Sequence, residues 1–155
     1  MQSEIGLIQK LGINPAENTI PAVINAHDYN AGCTLAKTYG IELVLPLHPS
    51  LPIGSQIEVS ISSNDIALSR YYLSGISMQN QIKGRICTLI FNKYSVLVQI
   101  DCGSIWLANI TLKACRDMVL QEGDTVYCLA KTHAFSYRLD TKNKSSRLLL
   151  EIEKR

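Results

Sequence analysis

Ser77, Gln79, Asn80, Lys131 and Thr132 are the residues whose types and spacing suggest chemistry. A tetrahedral dianion needs several hydrogen-bond donors converging on its oxygens. The segment Ser77-Met78-Gln79-Asn80-Gln81-Ile82-Lys83-Gly84 offers a hydroxyl at Ser77 and two carboxamide NH₂ groups at Gln79 and Asn80. Backbone N–H groups of such a turn can add an anion-cradling nest. Lys131 supplies one full charge, and the Thr132 hydroxyl follows it. One cation among neutral donors suits a dianion that must also be released. A lining without carboxylate disfavours oxyanions that keep a proton, because nothing accepts it. A polar turn of the S-x-Q-N type is also ordinary surface structure, and a lone lysine is usually a solvated one. These residues alone leave both readings open.

Other chemistries lack their signatures. The chain has no G-x-x-x-x-G-K-[ST] phosphate loop, no G-x-S-x-G elbow and no H-E-x-x-H pair. His27, His48 and His133 fall in separate loops or strand ends, and His27-Asp28 reads as a surface turn. The five cysteines (Cys33, Cys87, Cys102, Cys115 and Cys128) are odd in number and form no C-x-x-C. Free thiols in a reducing compartment are expected, with neither a zinc site nor a disulfide framework. A binding module is expected, not an enzyme.

The elements that must position these residues read as short strands. Expected strands are 19–26, 34–39, 42–46 and 56–62 in the first half, and 81–91, 95–100, 104–110 and 125–132 in the second. Ile57, Val59 and Ile61 alternate with Gln56, Glu58 and Ser60. Turn residues such as Tyr39-Gly40, Pro52-Ile53-Gly54, Cys102-Gly103 and Glu122-Gly123-Asp124 punctuate the strands. One helix is expected, Leu112–Met118, with Thr111 as its cap. Residues 1–17 read as a short helix or linker, and Phe135–Leu139 with Arg147–Ile152 as a terminal hairpin.

The halves repeat. The pairs Gly40/Gly103 and Gly54/Gly123 are separated by 63 and 69 residues, so the second copy carries a short insertion where the helix is expected. Two small barrel-like lobes follow, at 18–69 and 75–135, with a basic tail at 136–155. Each lobe is too small to be comfortable alone.

Of the 155 residues, 46% are hydrophobic and 18% charged, a globular composition. No apolar run approaches the roughly 18 residues of a membrane span, and no leader is visible, so a cytoplasmic protein is expected. The net charge is +2. Residues 138–155 hold six basic and three acidic groups, so the rest is near neutral. That disfavours a nucleic-acid surface.

Ser77-Met78-Gln79-Asn80-x₃-Gly84-Arg85-Ile86 resembles the S-A-R-N-x₃-G-x-V motif of the molybdate-binding Mop or TOBE family. Ile110-Thr111-x₂-Ala114, then Met118-x-Leu120-x₂-Gly123-Asp124-x-Val126-Tyr127-x₃-Lys131, fits the same pattern. The first lobe, through Ile20–Asp28, Leu51–Gly54 and Val59–Leu68, resembles the C-terminal regulatory region of the ATP-binding subunit of molybdate ABC importers. The resemblance implies an all-β chain of two tandem OB-like lobes whose strands are shared between lobes or chains. It implies molybdate or tungstate as ligand, held at subunit interfaces by Ser77, Gln79, Asn80, Lys131, Thr132 and, less directly, Thr111. It further implies a homodimer or higher homo-oligomer, with no nucleic acid. A transporter permease would be reached through an ATPase domain that this sequence does not contain, at the inner face of the membrane. A free-standing molbindin-like storage protein, or a dimerisation module that binds no anion, are the alternatives. Gln79 departs from the pattern: molbindins have arginine there, a fixed charge and bidentate donor. The first lobe has Ser62 where the second has Lys131, so one motif-bearing edge per chain is expected, completed by a second chain.

Overall fold

In a computed structural model, residues 17–138 are described. They form ten strands: β1 (Glu17–Asp28), β2 (Cys33–Thr38), β3 (Ile41–Pro46), β4 (Gln56–Ser62), β5 (Ala67–Ser69), β6 (Asn80–Phe91), β7 (Ser95–Asp101), β8 (Ile105–Thr111), β9 (Thr125–Ala130) and β10 (Ser136–Arg138). A helix, α1 (Leu112–Met118), lies between β8 and β9, and single 3-10 turns stand at Ser63–Asp65 and Thr132–Ala134. The chain is all-β, as its alternation and turn chemistry imply, with one short helix and the two OB-like lobes that the resemblance implies. The expected segment at 1–17 lies outside the described residues, apart from Glu17, which opens β1.

Period-2 burial is clearest in β1. In β1, Ile20, Ala22 and Ile24 are buried while Thr19, Pro21 and Val23 face outward. In β7, Val96, Val98 and Ile100 reach the core. A single apolar cluster runs through both lobes and includes Trp106, against whose ring Phe135 packs edge-on with centroids 6.4 Å apart. The lobes therefore share one interior, which is how two units of this size bury enough surface.

The sheets are ordered β10-β4-β1-β2-β3 and β5-β9-β6-β7-β8. All pairs are antiparallel. The short strands are exchanged: β5, which follows the first lobe's β4, pairs with β9 in the second sheet, and β10, which follows β9, pairs with β4 in the first. Ser136–Arg138, the first strand of the expected hairpin, lies against Ser60–Glu58. Residues 147–152 lie outside the described residues.

The repeat is visible in hydrogen bonds. Long strands β1 and β6 each carry a register shift, between Ile24 and Ala26 and between Ile86 and Thr88. At each shift a glycine turn returns to the strand. Gly54 N–H donates to Ile24 O at 2.7 Å and Ile24 N–H to Ser55 O at 3.0 Å. In the second lobe Gly123 N–H donates to Ile86 O at 2.7 Å and Ile86 N–H to Asp124 O at 2.9 Å. Both glycines have φ near +90° (88° and 90°), which a side chain would strain. The extra residues of the second copy are α1. Thr111 Oγ1 accepts from Ala114 N–H at 2.9 Å at its start, and Val119 closes it in the left-handed region at φ 52°.

Two asparagines lock the lobes symmetrically. Asn18, in β1, accepts from Leu107 N–H (2.7 Å) and donates to Leu107 O (2.9 Å). Asn80, in β6, accepts from Val44 N–H (2.8 Å) and donates to Val44 O (2.9 Å). Each carboxamide thus acts as one more rung for an edge strand, β8 or β3, of the other lobe. Occupying an exposed edge in this way removes a site for pairing with stray chains.

Candidate functional site

The pairing of β6 with β9 ends at Asn80 opposite Ala130. Gln79 and Lys131 are the next residues beyond that pair, and Thr132 opens the 3-10 turn that follows. The expected donors Gln79, Asn80, Lys131 and Thr132 are thereby gathered at one end of the β6–β9 ladder. Ser77 lies two residues outward on the approach to β6, in non-strand backbone that is exposed. Strand β3 borders this end through the Asn80–Val44 bonds.

The side chains differ in what they have left to offer. Ser77, Gln79 and Lys131 are exposed, and Lys131 forms no ion pair among the described residues. Asn80 is 1% exposed, with its oxygen and one amide hydrogen engaged by the Val44 backbone. Its first job is to join the lobes, and a single amide hydrogen remains. The Thr132 hydroxyl differs from these: its oxygen is buried and, like that of Thr38 at the end of β2, has no hydrogen-bond partner among the described residues. The backbone around it is committed, with Ala134 N–H donating to Lys131 O at 3.1 Å and Phe135 N–H to Thr132 O at 3.3 Å. A buried hydroxyl left unpaired costs about 1–3 kcal/mol, so such a group calls for an explanation.

Thr111 is placed elsewhere. It pairs with Ser95 at the end of β6–β7–β8 that lies by the Phe91–Ser95 turn, away from the Asn80 end of β6. Its oxygen caps α1. The structure does not gather it with the other five.

Gly84 of the motif answers to packing. A Cβ there would fall 2.6 Å from Cys102 Sγ and Ile100 Cγ2 and 2.8 Å from Asp101 O. The absent side chain lets the β7–β8 corner lie across β6, where Cys102 Sγ meets Cys128 Sγ at 3.9 Å. All five cysteines are free; Cys102, Cys115 and Cys128 are buried, Cys33 is half-buried and Cys87 is exposed. The neighbouring Cys102 thiol and then burial push the Cys128 thiol well above its ordinary value, so Cys128 stays protonated. Among the described residues no group of three or more His, Cys, Asp or Glu could hold a metal ion, and no helix is long and apolar enough to cross a membrane.

Arg70 was not singled out by its sequence context, yet it supports the site's lobe. It donates to Met118 O at 2.7 Å and Val119 O at 2.9 Å and pairs with Asp124 at 3.0 Å. It ties the interlobe connection to the C-terminus of α1 and to the Gly123 turn.

A solved structure of the cytoplasmic molybdate-binding protein ModG, with molybdate bound, matches this architecture with a TM-score of 0.67. The match covers 79% of this chain and 95% of the ModG chain, at 15% sequence identity. The chain has the fold of ModG. No family model matches the chain, and no curated protein matches it in sequence. At 15% identity the likeness to ModG is one of fold, carried by the paired lobes.

Proposed function

We propose that the chain is a binding module for a tetrahedral oxyanion of the molybdate or tungstate kind, with Ser77, Gln79, Lys131 and Thr132 as its donors. The observation that carries this reading is the orphaned Thr132 hydroxyl, on the residue next to Lys131, which forms no ion pair among the described residues, at the strand end where the Ser77–Gly84 segment enters. An anion oxygen accepting from Thr132 satisfies a group that the chain alone leaves unsatisfied, and Lys131 balances its charge. Asn80 holds the lobes in place and lends its remaining amide hydrogen. Thr111 serves α1. The ModG fold supports the reading, since that protein binds molybdate.

One chain presents these donors on an open strand end. A second copy covering that end would complete the cage, so the module works as a homodimer or higher homo-oligomer. The resemblance of Ile20–Asp28 and Val59–Leu68 to importer subunits supports a regulatory setting, in which the occupied module restrains an ATPase. A free-standing store of the anion uses the same site.

Equilibrium dialysis against molybdate tests the assignment of Lys131. Lys131→Ala removes the one cation and should weaken binding at least about tenfold, the lower end expected for a hydrogen bond to a charged group. Unchanged affinity would put the site elsewhere.

A further inference from the structure

The segment that carries Ser77 and Gln79 is pinned by a third carboxamide. Gln81 Oε1 accepts from Leu73 N–H at 2.9 Å, and Gln81 Nε2 donates to Leu73 O at 2.7 Å. Asn18 and Asn80 bind Leu107 and Val44 in the same two-point manner, but across the lobes. Gln81 instead reaches back eight residues along its own chain and closes residues 74–80 into a loop. Its backbone is fixed in β6 opposite Leu129, and Asn80 beside it stands opposite Ala130. Both ends of the loop are therefore tied to the end of the β6–β9 ladder that Lys131 and Thr132 share.

Between those ends the loop has little of its own to hold it. Residues 74–77 and Gln79 are exposed, and Met78 is half-buried. Among the described residues, no hydrogen bond reaches residues 74–78. Gly75, at φ 75°, lets the chain turn there. The repeat supplies a contrast. Asn18 and Asn80 correspond, so Thr19 stands where Gln81 does. The Thr19 hydroxyl accepts from Arg138 at 2.8 Å, and a hydroxyl does not offer the spaced acceptor and donor of a carboxamide. The clamp thus belongs to the lobe that carries the donors.

We infer that Gln81 is a positioning residue for the oxyanion site. By holding Leu73 it confines the loop, so that Ser77 and Gln79 are presented at the strand end before the anion arrives. This role rests on the oxyanion reading above, and Gln81 itself need not touch the anion. Without the clamp, the loop must be ordered as the anion binds. Its donors are then competent only in the fraction of molecules that already present them, and apparent affinity falls with that fraction. The loss of two neutral hydrogen bonds lowers it about tenfold.

Calorimetric titration with sodium molybdate of the full chain, Gln81→Met, Ser77→Ala and the double variant tests this. Methionine keeps the length of glutamine and removes both bonds. Gln81→Met should weaken binding about tenfold. In the Ser77→Ala background the same change should cost less, because part of what the clamp gives acts through Ser77. A residue that only stabilises the fold would leave affinity unchanged, or would have the same effect in both backgrounds; either result overturns the inference. Hydrogen exchange at the Leu73 amide of the ligand-free chain should be slow in the parent and fast in Gln81→Met. Equal exchange in the two, or an unprotected Leu73 amide in the parent, overturns it as well. No binding by the parent removes the oxyanion reading and this role with it, whereas a binding parent and an unaffected Gln81→Met remove the role alone.

Discussion

Thr132 and Asn80 show how residues of similar promise divide once their partners are known. Both were legible as donors from type and spacing. Burial separates them: the Asn80 carboxamide faces a backbone edge that needs it, whereas the Thr132 oxygen faces nothing. A sequence cannot report this, because the partner, Val44, is 36 residues away and belongs to the other lobe. The orphan hydroxyl gives a signed prediction. Thr132→Val keeps the shape and removes the unpaired polar group. It should raise the stability of the ligand-free chain by about 1 kcal/mol and shrink the stabilisation that molybdate confers. Urea melts with and without molybdate read both effects. A loss of stability without ligand would mean that the hydroxyl already has a partner.

Among the elements, β1, β2, β3, β4, β6, β7, β8 and β9 were readable to within a few residues because each is long enough to show alternation. Helix α1 was readable from its cap and its place in the repeat. Strands β5 and β10 escaped as members of exchanged pairs. Three residues carry no period, and their partners are set by the crossing of the chain, which leaves no local trace. The end of α1 was also illegible. Val119 sits in a left-handed conformation that a β-branched residue adopts only at a cost, and Arg70 holds it by capping the Met118 and Val119 carbonyls. Asp124 completes this clamp. The Gln121 N–H, which donates to its carboxylate at 2.9 Å, holds its pKa below the ordinary aspartate value; desolvation opposes it, and Arg70 adds to the lowering. A depressed pKa contributes stability that is whole above the unfolded value, about 3.9, and is lost as pH falls through the folded one. Asp124→Asn should therefore lower stability near pH 7 and flatten the acid limb of the stability curve below about pH 4. Denaturant melts between neutral and acid pH check this; an unchanged acid limb would contradict it.

For the whole molecule, strand exchange and the Asn18 and Asn80 rungs make the lobes one cooperative body. The repeat was legible from the glycine spacings, but the manner of joining was not, since both rungs pair a side chain with a distant backbone. Asn18 lies in the first lobe and outside the oxyanion motif, so it is the natural control for Asn80. Asn18→Leu and Asn80→Leu should each cost about 2–4 kcal/mol, because each leaves a backbone N–H and C=O without their partners. Similar losses with a single unfolding transition in both variants would establish the shared structural role. A loss confined to one would show that the rungs are not equivalent.

The central claim is that the β6–β9 end binds a molybdate-type oxyanion. Calorimetric titration of the full chain with sodium molybdate, in its assembled oligomeric state, tests it most directly. Saturable binding near one anion per chain, displaced by tungstate, is the predicted result. The absence of saturable heat with either anion would contradict the account.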